Sequence, residues 1–245
     1  MNLRKILNTK RTALTIGAVV LVIILAFPTG KLMVASGHHA KVVALTFDDG
    51  PDPRFTPKIL KILKKDHVRA TFFMVGSQVN KYPRLTRQVA NGGNEIGNHS
   101  YTHPNIRLDR RSQIKNEIEK CRLAIYRVTG QKTHLFRPPY GLFNNAALAV
   151  AKQDGYSVVL WDVCVEHKAA RTARNEAKRV LLLVRPGYII LAHDGRLNRE
   201  KTVRAIPLII NGLKEKGYKF VTVDELVKMH AMRLSQIKAT ALIIR

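Results

Sequence analysis

Two adjacent carboxylates, Asp48 and Asp49, close the apolar run of "VVALTFDDGP", and two histidines four residues apart, His99 and His103, stand in "HSYTH". Acidic residues are scarce in this chain, 17 against 42 Lys and Arg, so two of them side by side at the end of an apolar run call for a reason. Two neutral imidazoles and one carboxylate suit a divalent ion, zinc first, with cobalt or nickel as alternatives. Three protein ligands leave a position open for water or substrate, which is the arrangement of a catalytic site. On a helical turn the spacing of His99 and His103 puts both imidazoles on one side, and Asp49 supplies the third ligand. Asp48, next to that ligand, is then placed to take a proton as general base. Asp-Gly-Pro sequences form turns without any catalytic role, but one aspartate would be enough for the turn.

For such residues to act together, the fold must bring distant segments to one place. A chain of 245 residues with 46% hydrophobic content can bury one sizeable α/β core. From Lys41 onward apolar runs alternate with amphipathic stretches. The runs predict strands over Val42–Phe47, Ala70–Val75, Asn94–His99, His134–Arg137, Tyr156–Asp162, Tyr188–His193 and Tyr218–Val223. Between them the spacing predicts helices, including Thr56–Lys65, Thr172–Val184 and Arg110–Thr129 with its apolar positions Ile114, Ile118, Cys121 and Ile125. Strict alternation of about seven such units predicts a parallel, closed or nearly closed sheet. Asp48, Asp49, His99, His103, Arg137, Tyr140 and His193 then all fall at or just after the C-terminal ends of strands, the rim where barrels of parallel strands build active sites.

These segments resemble the polysaccharide deacetylase family of carbohydrate esterases, the NodB-homology domain. "TFDDG" (46–50), "HSYTH" (99–103) and "RPPYG" (137–141) match its motifs closely, and "LAH" (191–193) matches the motif that carries the catalytic histidine. The resemblance runs from Lys41 to near His230. It implies an α/β fold, a distorted (β/α) barrel of about seven units, and it implies that Asp48 is the base and that Asp49, His99 and His103 hold the metal. It further implies that His193 is the general acid, that Arg137 orients Asp48, that the Tyr140 backbone N–H donates to the oxyanion, and that Leu191 lines the acetyl pocket. One motif departs from the pattern: where the family has an Asp-Trp pair, this chain reads "WDVCVEHK" (161–168), with His167 and Lys168 at the aligned positions. Glu166, one residue earlier, is a replacement carboxylate to support His193, with His167 the alternative and Asp162 too far back in its strand.

The expected activity is metal-dependent removal of N-acetyl groups from an amino-sugar polymer, peptidoglycan or a chitin-type oligosaccharide. The alternatives are a deacylase of another small amide or an O-acetyl ester, and a non-catalytic wall-glycan-binding module. Against the last, a pure binder needs neither the base Asp48 nor the acid His193.

The N-terminus adds a location. Arg4, Lys5, Lys10 and Arg11 precede "TALTIGAVVLVIILAFP" (12–28), which reads as a signal-anchor that sends the rest of the chain outward. The expected organisation is a basic end and transmembrane segment over 1–29, a linker over 30–40, the deacetylase domain over 41–230 and a basic, apolar tail over 231–245. The catalytic domain is then extracellular, membrane-anchored, or secreted if the segment is cleaved near 32–37. A formal charge of +25 attracts polyanions; in an exported domain these are an anionic wall or lipid surface rather than nucleic acid. A monomer is expected. Cys121 and Cys164 are too few for a disulfide framework and read as packed thiols.

Overall fold

The computed structural model describes residues 32–33 and 41–232. The segment 12–28, expected to be an anchor, lies outside the described residues, as does the tail beyond 232. Among the described residues no helix is long and apolar enough to cross a membrane.

All strand pairing is parallel. A two-residue strand β1 (Leu32–Met33) precedes β2 (Val42–Asp48), β3 (Thr71–Met74), β4 (Glu95–Asn98), β5 (Leu135–Phe136), β6 (Ser157–Val159), β7 (Val163–Cys164), β8 (Ile189–His193) and β9 (Lys219–Val221). The helices are α1 (Thr56–Lys65), α2 (Gly76–Lys81), α3 (Pro83–Asn91), α4 (Arg111–Thr129), α5 (Asn145–Gln153), α6 (Ala173–Leu183) and α7 (Glu200–Glu215). The strands are ordered β1-β6-β5-β4-β3-β2-β8-β7, with β9 pairing the start of β2. Apart from β1, the path starts with β6 and ends with β7, two strands joined by residues 160–162. The sheet therefore curls until its ends approach each other, a parallel-strand half-barrel in keeping with the distorted barrel expected.

Two expectations are corrected. The strand expected over Tyr156–Asp162 is only Ser157–Val159 (β6), and an unexpected strand follows at Val163–Cys164 (β7), because the chain leaves β5 after Val159 and takes up β8 from Asp162, whose N–H donates to Ile189 O at 2.9 Å. Strict alternation fails after β3, where α2 and α3 follow in succession. The expected linker over 30–40 contributes β1, which pairs with the edge of β6 that β5 leaves open.

The alternation of side chains along β2 explains why its run is apolar throughout. Val43, Leu45 and Phe47 join the core under the helices, while Val42 and Ala44 join a second cluster with Phe73, Leu135, Val159 and Ile189 on the other face of the sheet. Both faces are covered, as in parallel sheets generally. The helices depend on that packing. At ten residues α1 is too short to persist alone, and it is held by Ile59 and Leu63, whose burial contributes about 1.5–3 kcal/mol each. In α4 the expected stripe Ile114, Ile118, Cys121 and Ile125 is fully buried, and the helix ends on Gly130 at φ 70°, a left-handed stop that suits glycine.

Candidate metal centre and active site

Thr46 and Asp48 extend the second face of β2 toward the C-terminal rim, where a buried arginine meets them. Arg137, wholly buried just after β5, donates from one nitrogen to Asp48 Oδ1 at 2.7 Å and to Thr46 Oγ1 at 2.8 Å. Its other nitrogens donate to Val159 O and Leu160 O, and its guanidinium lies 4.0 Å from the Phe73 ring centroid. Burial pulls the Arg137 pKa down and Asp48 opposes that. With Oδ1 held, Asp48 Oδ2 is left facing His99 Nε2 at 3.7 Å. Arg137→Leu would leave the Asp48 charge buried and unpaired. The expected cost is about 3–5 kcal/mol, read as a lower midpoint of urea unfolding. An unchanged midpoint would show that water already shares the charge.

Along a strand, successive side chains point to opposite faces, and Asp49 escapes that rule because its backbone is left-handed at φ 75°. The loop after β8 packs onto this turn so closely that a Cβ on Gly195 would lie 2.2 Å from Asp49 O. Asp49 Oδ1 lies 3.1 Å from His103 Nε2 and 3.6 Å from His99 Nε2. Burial raises the Asp49 pKa, but hydrogen bonds from His103 and His99 outweigh it and hold the carboxyl well below its usual range. His99 Nδ1 donates to Arg137 O at 2.7 Å, which fixes the tautomer and leaves Nε2 as the ligating atom.

"HSYTH" brings its imidazoles together, ring centroids 4.9 Å apart, but not on the helical turn expected. The segment is a loop in which Ser100 and His103 both adopt left-handed backbone, at φ 63° and 62°. Glu117 of α4 secures that loop by accepting from the N–H groups of Tyr101 and Thr102 at 2.9 and 2.7 Å. The buried ligand atoms of Asp49, His99 and His103 lie within 4.8 Å of one another. Their donor types, the fixed tautomer and the ionised carboxylate fit a divalent ion.

At the end of β8, His193 stands in register with Asp48 on the neighbouring strand. Glu166 Oε2 lies 3.1 Å from His193 Nδ1, and its Oε1 accepts from the His193 N–H at 3.1 Å and from Thr202 Oγ1 at 2.7 Å. Burial lowers the His193 pKa, but the hydrogen bond and charge of Glu166, with Asp48 and Asp49 adding, carry it above its ordinary value. Glu166 itself is raised by burial and, on balance, lowered by His193 and Thr202. His167 is turned outward, its Nδ1 accepting from the Ala169 N–H. Asp162 accepts from the Ile189 N–H at 2.8 Å and is not at the rim group.

Leu191 is buried on β8, two residues before His193 and on the same strand face. Tyr140 follows Arg137 in a 3₁₀ turn (Pro139–Gly141), with φ 60° and its ring edge-on to His103 at 4.7 Å. The Arg196 guanidinium contacts both the His103 ring and the Tyr140 hydroxyl. Several participants escape sequence reasoning. Arg199 at the start of α7 donates to Asp49 Oδ2 at 3.3 Å and to Gly195 O at 2.9 Å. Asp194, wholly buried beside Gly50, accepts from Thr56 Oγ1 at 2.5 Å and is pushed up by burial to about 7. The only signal for either was its place in the loop after "LAH".

A half-barrel of parallel strands whose rim joins an Asp-His-His trio to an arginine-paired carboxylate and a carboxylate-supported histidine has the parts of a metal-assisted hydrolase. The profile of the polysaccharide deacetylase family matches residues 35–159, and the chain belongs to that family. A peptidoglycan-N-acetylglucosamine deacetylase of Bacillus cereus is 37% identical over 206 residues, 82% of this chain and 95% of the relative. The peptidoglycan-N-acetylmuramic acid deacetylase PdaA of Bacillus subtilis is 34% identical, over 79% and 74% of the two chains. The crystal structure of the Bc1960 peptidoglycan N-acetylglucosamine deacetylase aligns with a TM-score of 0.75 at 37% identity, covering 78% of this chain and 90% of that one. At a TM-score of 0.74 and 31% identity, covering 82% and 69%, the chain also matches BA3943 of Bacillus anthracis, described as a pseudoenzyme of the same family. Asp48, His193 and the Asp49-His99-His103 trio stand together at the rim of this chain.

Proposed function

We propose that this protein is a metal-dependent N-deacetylase that removes acetyl groups from peptidoglycan amino sugars at the outer cell surface. The observation that carries the reading is the completeness of the rim. Asp48, with one oxygen held and one available, and His193, backed by Glu166, flank three residues that fit an ion. The relatives' names supply the substrate class. The basic flank and apolar run of 1–29 support the location.

Asp49, His99 and His103 would hold a divalent ion, which would supply Lewis acidity toward water and the acyl carbonyl. Asp48 Oδ2 takes the proton of the attacking water, and Arg137 keeps Oδ1 from competing. The Tyr140 N–H donates to the carbonyl oxygen as negative charge develops there. His193 Nε2, protonated because Glu166 favours the imidazolium, gives its proton to the departing sugar nitrogen. Water and amide become acetate and amine. The test is release of acetate by the full-length protein from peptidoglycan and from acetylated chitooligosaccharides, with and without added Zn²⁺ or Co²⁺ after chelation. Acetate from neither substrate under any metal would sink the reading.

The altered motif gives a pH prediction. Glu166 raises the His193 pKa, so Glu166→Gln should lower it, and the alkaline limb of the pH-rate profile should move to lower pH. His167→Ala should leave the limb in place, because His167 does not touch His193. A stationary limb in the Gln variant would remove Glu166 from the proton-donating pair.

A further inference from the structure

Beside the trio, one other group among the described residues brings three ligating atoms within 4.8 Å of one another: Cys164 Sγ, a Glu166 carboxylate oxygen and a His193 ring nitrogen. We propose that these residues form a second, inhibitory site for a thiophilic divalent ion such as Cd²⁺ or excess Zn²⁺, whose binding at Nδ1 turns the His193 imidazolium into a neutral, metal-bound imidazole with a much weaker acid at Nε2 and engages the Glu166 charge that supported it.

The spacing is that of a coordination sphere. Glu166 Oε2 lies 3.4 Å from Cys164 Sγ and 3.1 Å from His193 Nδ1. Around a tetrahedral zinc with bonds of ~2.3 Å to sulfur and ~2.0 Å to nitrogen and oxygen, neighbouring sulfur and oxygen ligands lie ~3.5 Å apart, nitrogen and oxygen ~3.3 Å. The carboxylate is also fixed from behind, since Oε1 is held by Thr202 and by the His193 N–H, the outer support that ligands require. Solvent reaches all three residues: the His193 and Glu166 side chains are 23% and 20% exposed, and Cys164 is partly exposed.

Sulfur separates this site from the catalytic trio, which offers only oxygen and nitrogen and so has less preference for soft ions. On binding, the Cys164 thiol and His193 Nδ1 each release a proton to solvent and bond to the ion, with no change of oxidation state. Without the ion the thiol keeps its proton, because burial and the Glu166 charge push its pKa up to about 12. The site stands on these distances alone; its effect on turnover rests on the reading of His193 as the acid.

The test is titration of the full-length, zinc-loaded protein with Cd²⁺, following the thiolate-to-cadmium charge-transfer absorption and acetate release together. Cys121 is fully buried in α4 with its Sγ donating to Met74 O, so the band reports Cys164. In the wild type the band should saturate at one equivalent while turnover falls by roughly 10²-fold or more, the scale of a lost general acid. Cys164→Ser keeps a donor to Glu166, so it should turn over normally without cadmium, show no band and stay active at concentrations that silence the wild type. Absence of the band in the wild type, or a serine variant silenced equally, would overturn the site. A saturated band with undiminished turnover would keep the site, overturn the inhibition and remove His193 from the role of acid.

Discussion

His103→Ala should abolish deacetylation and release the metal. Among the described residues three side chains are in place to hold the ion, and the lost imidazole is the one whose Nε2 lies nearest Asp49 Oδ1. Losing even an outer partner of a ligand costs ~10–100-fold in affinity, and losing a ligand should cost more. Dialysed variant protein should therefore carry well under one equivalent of metal by elemental analysis, with acetate release at background. The fold should persist, because His103 lies in a rim loop while the core sits on the strand faces and under the helices. Circular dichroism matching the wild type confirms that the loss is local. A variant that retained one equivalent of metal and its activity would end the assignment of the trio.

The second large effect is expected from Asp48→Asn, and it should separate binding from turnover. The amide has nearly the shape of the carboxylate and Asp49 is untouched, so metal content should stay at the wild-type level. Turnover should fall by about 10²–10⁴-fold, the contribution of a general base. Because Asp48 also neutralises Arg137, the variant should be less stable as well. Its rate must therefore be measured well below its own unfolding temperature. Wild-type kcat under those conditions would make Asp48 a turn and pairing residue only.

What could be read from the sequence were the features written in short contiguous stretches. Apolar runs located the strands of the half-barrel except the two-residue β1 and β7, and "TFDDG", "HSYTH", "RPPYG" and "LAH" placed their polar residues at strand ends, because a strand's end is a local event. Features assembled across the chain were hidden. The loop geometry of His99–His103 depends on Glu117 reaching back from α4, which no periodicity within the motif records. The break between β6 and β7 reflects a change of pairing partner from β5 to β8. Arg199 and Thr202 reach Asp49 and Glu166 from α7 and its approach, and nothing in their own neighbourhoods marks them. Glu166 was legible only as a carboxylate displaced by one residue from its expected place.

The manner in which Arg137 is bound bears on how the protein moves. Its side chain ties β2, through Thr46 and Asp48, to Val159 and Leu160, where the two ends of the sheet approach. Any breathing motion that parted those ends would strand a guanidinium and a carboxylate in an apolar interior, at a cost of several kcal/mol. That is a large share of the total stability of an ordinary domain. Slow amide exchange is therefore expected to extend from β2 across the 157–164 segment as one cooperative unit. In the proposed reaction the base, Asp48, is thus mounted on a unit that opens only as a whole.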